Sequence, residues 1–108
     1  MFEKLNATER QYDELLTRLG SPELQADPAE YRRHAKALSD IETLVERFRE
    51  YKKVVRDITQ TEDLASQGDS DMRSLIQEEM KSLVAQRDAL AGELKMLLIP
   101  KDPNDEKN

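Results

Sequence analysis

The sequence predicts an all-α protein built on a long antiparallel helical hairpin, and three observations carry that expectation. Glycine (3) and proline (4) are scarce among 108 residues, and the good helix formers dominate, which lose little side-chain freedom in a helix. Hydrophobic and charged residues each make up 37%, a balance suited to helices that bury one stripe and expose the rest. Apolar residues recur at steps of three and four over segments far longer than a strand.

The first segment runs from about residue 2 to 19, with Phe2, Leu5, Tyr12, Leu15, Leu16 and Leu19 on one face. Gly20 falls at the expected C-terminal cap, where glycine takes a left-handed conformation cheaply. Ser21-Pro22 blocks continuation, so residues 20–27 form a connector with room for a turn at Pro22–Gln25. The second helix opens on Asp27 as cap, Pro28 at the first helical position and Glu30 placed to close a capping box. Its stripe is Tyr31, Ala35, Leu38, Ile41, Val45, Phe48, Tyr51, Val55 and Ile58, with no glycine or proline before Gly68. One helix over about 28–66 follows, roughly 58 Å long at ~1.5 Å per residue.

Gln67-Gly68-Asp69 reads as a tight turn and Ser70 as the cap of a third helix over about 70–98. Met72, Ile76, Met80, Leu83, Leu90, Leu94 and Leu97 form its stripe, and Arg87 fills the missing step with its aliphatic stem. Gly92 stands mid-helix, at a cost of ~1 kcal/mol relative to alanine, and is expected to mark a close approach of helices. The short turn makes the two long helices antiparallel neighbours. Their unequal lengths leave the stripe near Tyr31, Ala35 and Leu38 to be covered by the N-terminal helix, packed near the open end of the hairpin. The closed tip, about Ile58 to Ile76, is left projecting as a natural contact surface. Residues 1–99 therefore read as one helical front domain. Residues 100–108, with Pro100, Pro103 and no apolar side chain after Pro100, read as a linker to a missing downstream domain.

No catalytic centre is legible. Cysteine is absent and His34 is the single histidine, with Leu38 where a second helical ligand would stand, so His34 is expected to be structural and no metal or cofactor is implied. There is no Gly-x-Ser-x-Gly turn, no glycine-rich phosphate loop and no triad. Glu78 and Glu79 are helical neighbours about 100° apart and cannot face one substrate together. No apolar run reaches the ~20 residues of a membrane span, and residues 1–4 lack a signal-peptide layout. These features are expected of a cytoplasmic protein without a small-molecule ligand.

One charge pattern stands out. Arg49, Lys52, Lys53 and Arg56 follow helical spacing and share a face. They form either a contact patch for RNA phosphate or an acidic protein, or a solvated face partly paired across the hairpin, since the antiparallel register brings Arg56 near Met80 and within reach of Glu78 and Glu79. The net charge of −6 opposes general polyanion binding.

The run Leu97-Leu98-Ile99-Pro100-Lys101-Asp102-Pro103-Asn104-Asp105-Glu106-Lys107-Asn108 resembles the segment joining the helical front domain to the body of bacterial class I peptide chain release factors, in the release factor 1 branch that reads UAA and UAG. Tyr12-Asp13-Glu14-Leu15-Leu16, the Ser-Pro connector, the long helix and Asp71-Met72-Arg73 agree with the same layout. The resemblance spans the whole chain, with the tail its most specific part. It implies a domain of a factor that enters the ribosomal A site at a stop codon and promotes hydrolysis of peptidyl-tRNA. The implied partners are the ribosomal stalk base, with protein L11 and nearby rRNA, and the GTPase release factor. The family's Gly-Gly-Gln and Pro-x-Thr motifs are not in these 108 residues, so no catalytic or codon-reading role passes to any residue here. Two other readings fit the stripes: a generic coiled-coil interaction or dimerisation module, and a helical RNA binder acting through Arg49–Arg56.

Overall fold

The computed structural model describes residues 1–68 and 70–100. Four α-helices follow in order: α1 (Phe2–Leu19), α2 (Pro22–Gln25), α3 (Pro28–Ser66) and α4 (Arg73–Leu97), with a 3₁₀ turn at Ser70–Met72 before α4. The expectation of an all-α hairpin protein is borne out. The expected linker at residues 101–108 lies outside the described residues.

The chain divides into two compact units, Met1–Glu46 and the part from Arg47 onward. In the first, Leu5 and Leu15 of α1 and Val45 of α3 are buried. The connector is tighter than a left-handed cap would make it. Gly20 has φ −85° and ψ −3°, an ordinary right-handed conformation, because its amide bonds Thr17 O at 3.1 Å and Ser21 N bonds Arg18 O at 3.0 Å. The chain thereby closes α1 with a turn that leads straight into α2. Ser21 caps α2, its hydroxyl accepting from Leu24 N at 3.2 Å, with Pro22 at the first helical position, where its missing N–H costs nothing.

Asp27 caps α3 as expected, its carboxylate accepting from Glu30 N at 3.3 Å. The reciprocal half of the capping box is missing. The Asp27 amide already donates to Leu24 O at 3.0 Å, and the Glu30 carboxylate turns instead to the Arg33 guanidinium.

The second unit is the hairpin. Val54 and Ile58 of α3 and Leu83 of α4 form its buried cluster, with Met80, Val84 and Leu90 packed against it. An ion pair from Arg47 Nε to Glu93 Oε2 at 3.2 Å marks the antiparallel pairing further along. The seam differs in detail from the expected stripe. Val54 is buried while Val55 is exposed, and Thr61 takes a buried seam position. Two adjacent valines look alike by composition, and the register against Leu83 selects between them. Thr61 is tolerated there because its hydroxyl donates to Asp57 O at 2.8 Å, which removes the cost of a buried unpaired hydroxyl.

The start of α4 also departs from expectation. Ser70 opens the 3₁₀ turn, and the cap of α4 is Met72, with no side-chain hydrogen bond. Gly68 has φ +76°, the left-handed conformation that makes glycine the economical residue in this turn. Gly92 marks no close approach: a Cβ there would meet nothing within 4 Å. Arg87 is half-buried and its Nε reaches Asp88 Oδ1 at 3.1 Å.

Candidate functional site

The basic row on α3 lies within the second unit. Arg49, Lys53 and Arg56 are exposed and Lys52 is half-buried. The Lys52 ammonium stands 4.5 Å from the centroid of the Phe48 ring, a cation–π distance that draws its charge toward the packed side of the helix. Arg49 and Lys52 both have partners within the chain. The row is thus not four equivalent free cations. Two of its members, Lys53 and Arg56, are exposed, with Lys53 next in sequence to the half-buried Lys52.

The expected pairing of Arg56 with Glu78 or Glu79 is not made among the described residues. Arg56 lies two residues from both Val54 and Ile58, about 200° around the helix from the seam, so it points away from α4. Arg47 does bridge the helices, holding Glu93 of α4 as well as Glu50 of its own helix at 3.0 Å. Sequence reasoning passed it over. Reflection about Gly68, which puts Arg56 opposite Met80, puts Ala89 opposite Arg47 and Glu93 a helical turn beyond it, so spacing alone does not name this pair.

His34 is held by its own helix. Its Nδ1 donates to Glu30 O at 2.8 Å, and the ring is part-buried. Among the described residues no group of His, Cys, Asp or Glu is arranged to hold a metal ion.

A second feature lies at the closed end of the hairpin. Beyond Ile58 and Met80 the buried apolar cluster stops. Leu64 near the end of α3, Met72 in the 3₁₀ turn and Leu75 at the start of α4 are 51%, 43% and 59% exposed. Between the helix ends is a cavity of about 230 Å³, lined by Ala65, Gly68, Arg73, Ile76 and Gln77. It is the size of a docking recess for a side chain, and smaller than the ~300–1,000 Å³ of small-molecule sites. No helix among the described residues is long and apolar enough to cross a membrane.

A family profile described as the PCRF domain matches residues 8–108. The chain belongs to the PCRF domain family. As a PCRF domain it is similar along its whole length to proteins named peptide chain release factor 1: 43% identical to that of Carboxydothermus hydrogenoformans, 41% to that of Myxococcus xanthus and 38% to that of Clostridium tetani. In each case all of this chain is covered, against 30%, 30% and 31% of the relative. This PCRF domain therefore spans somewhat under a third of the length of the curated relatives it matches. No solved structure matches it. The hairpin, its closed end and the α3 basic row all fall within the matched residues.

Proposed function

We propose that this PCRF domain is the helical docking part of a translation termination factor that recognises UAA and UAG and promotes peptidyl-tRNA hydrolysis, acting in the cytoplasm at the stalk base of the ribosome. The observation that carries the reading is the similarity to peptide chain release factor 1 proteins over the whole chain, at 38–43% identity in the relatives named above. The fold supports it in kind. Two paired helices give an extended surface, and the sequence has no Gly-Gly pair with which to build the family's catalytic loop. Residues 1–99 serve as the front domain and 100–108 as its connection to the rest of such a factor. Stalk-base protein L11, neighbouring rRNA and the GTPase release factor are the partners this reading assigns.

The test uses bacterial 70S ribosomes carrying a peptidyl-tRNA and a stop codon in the A site. The 108-residue chain is expected to co-sediment with them and to release no peptide. Failure to co-sediment would overturn the docking role, and release above the no-factor background would overturn the absence of chemistry.

A second contact is assigned to the basic row. The exposed charges of Lys53 and Arg56, next to Arg49 and Lys52, supply local positive potential on an otherwise acidic chain. That potential suits a few rRNA phosphates beside the main contact. Lys53→Glu with Arg56→Glu is expected to weaken ribosome binding and flatten its salt dependence. Unchanged affinity and slope would remove the row from the interface.

A further inference from the structure

The geometry points to a nucleotide-binding site in the first unit, where a base stacks on Tyr31 and its phosphate pairs with Arg32. The assignment goes beyond ribosome docking and does not depend on it.

The first observation is shape. A cavity of about 350 Å³ is lined by Gln25 of α2 and by Pro28, Tyr31 and Arg32 of α3. That volume lies within the ~300–1,000 Å³ of small-molecule sites. Tyr31 heads the apolar stripe expected for α3, yet it is 39% exposed. Pro28 precedes it by three residues and so shares its face of the helix. Together they form an aromatic ledge with a rigid apolar edge. Such a ledge takes another flat ring, because stacking on an aromatic side chain requires only a π-face. Spacing along one helix does not reveal the site, since Gln25 arrives from α2.

The second observation is charge and hydrogen bonding. Cations stand at Arg32, Arg33 and Lys36, and two of them are taken. Arg33 holds Glu30, and Lys36 holds Asp40 at 3.1 Å. Arg32 is exposed and has no such partner among the described residues. The cavity lining therefore carries one uncompensated positive charge on an otherwise acidic chain. A guanidinium free of carboxylates is matched by a phosphate, which it grips through two parallel hydrogen bonds. The amides at the start of α3 are not called on, since the Asp27 carboxylate already accepts from Glu30 N. Gln25 is oriented as well. Its Nε2 donates to Leu19 O at 3.2 Å, which leaves Oε1 as an acceptor for a base amino group. Ring, phosphate and amino donor together describe a nucleotide, either free or unpaired in an RNA strand. An acidic peptide would satisfy Arg32 but brings no flat ring bearing an amino donor.

The test titrates the 108-residue chain with AMP, adenosine, inorganic phosphate and a short single-stranded oligoadenylate, following its amide resonances by NMR. Shifts are expected to centre on residues 25–32, with AMP bound about tenfold more tightly than adenosine or phosphate alone. Arg32→Gln should weaken AMP about tenfold and leave adenosine unchanged. Tyr31→Ala should weaken both about tenfold, while Tyr31→Phe, which keeps the ring, should bind as the wild type does. Both positions are exposed, so the variants should keep the helical circular dichroism of the wild type. Tighter binding of the oligoadenylate than of AMP assigns the site to an RNA strand, and equal binding assigns it to a free nucleotide. No shift at millimolar AMP, shifts scattered over the chain, or an Arg32→Gln chain that binds AMP undiminished would overturn the site. So would an acidic peptide that displaces AMP and binds more tightly than it. Each of these results leaves ribosome docking to its own co-sedimentation test.

Discussion

Phe48 is 3% exposed and also carries the Lys52 ammonium on its ring face. Truncation would remove a large buried volume and the cation's seat at once. Phe48→Ala is expected to cost about 3 kcal/mol or more in chemical denaturation, and a loss below about 1 kcal/mol would contradict its burial. Gly92 carries the opposite sign. Its position is helical and a Cβ meets nothing within 4 Å, so only the glycine's backbone entropy is felt. Gly92→Ala should therefore raise stability by about 0.5–1 kcal/mol, and a destabilised variant would reveal a contact the geometry lacks. The sequence supplied the helical propensity cost at Gly92 correctly. It misread the compensation, since the glycine faces solvent rather than another helix.

At the scale of elements, the turn between α3 and α4 fixes the hairpin. Gly68 holds φ at +76°, a region that costs a residue with a Cβ about 1–2 kcal/mol. Gly68→Ala is thus expected to lower the unfolding free energy by about 1 kcal/mol although no atom blocks the methyl. An unchanged denaturation midpoint would mean the turn relaxes at no cost. The register this turn sets brings Val54 and Ile58 onto Leu83 and Arg47 onto Glu93. The Arg47–Glu93 pair is more than a third exposed on both sides, so it contributes little energy beside the apolar seam. Its value is as a marker of register.

At the scale of the whole molecule, Leu83 of α4, with Met80, Val84 and Leu90 beside it, packs on Val54 and Ile58 of the same chain. The generic dimerisation reading needs those side chains for a second copy. The chain is accordingly expected to sediment as a monomer at micromolar concentration, and an obligate dimer there would favour the coiled-coil alternative.

Helix content, helix order and the ends of α1 and α3 were legible in the residues alone. They follow from periodicity, from Pro28 and Asp27 at a start, and from Gly68 at a turn, and these signals act within a few residues along the chain. Which valine enters the seam, how Thr61 comes to be buried, why Glu30 turns to Arg33 and which arginine bridges the hairpin were settled only in three dimensions. Each depends on what stands opposite in the partner helix or on which backbone donor is already taken, and no spacing within one segment encodes that. The basic row shows the same division. The sequence placed four cations on one face, but only packing against Phe48 decided that Lys52 turns inward while Lys53 and Arg56 remain available to a partner.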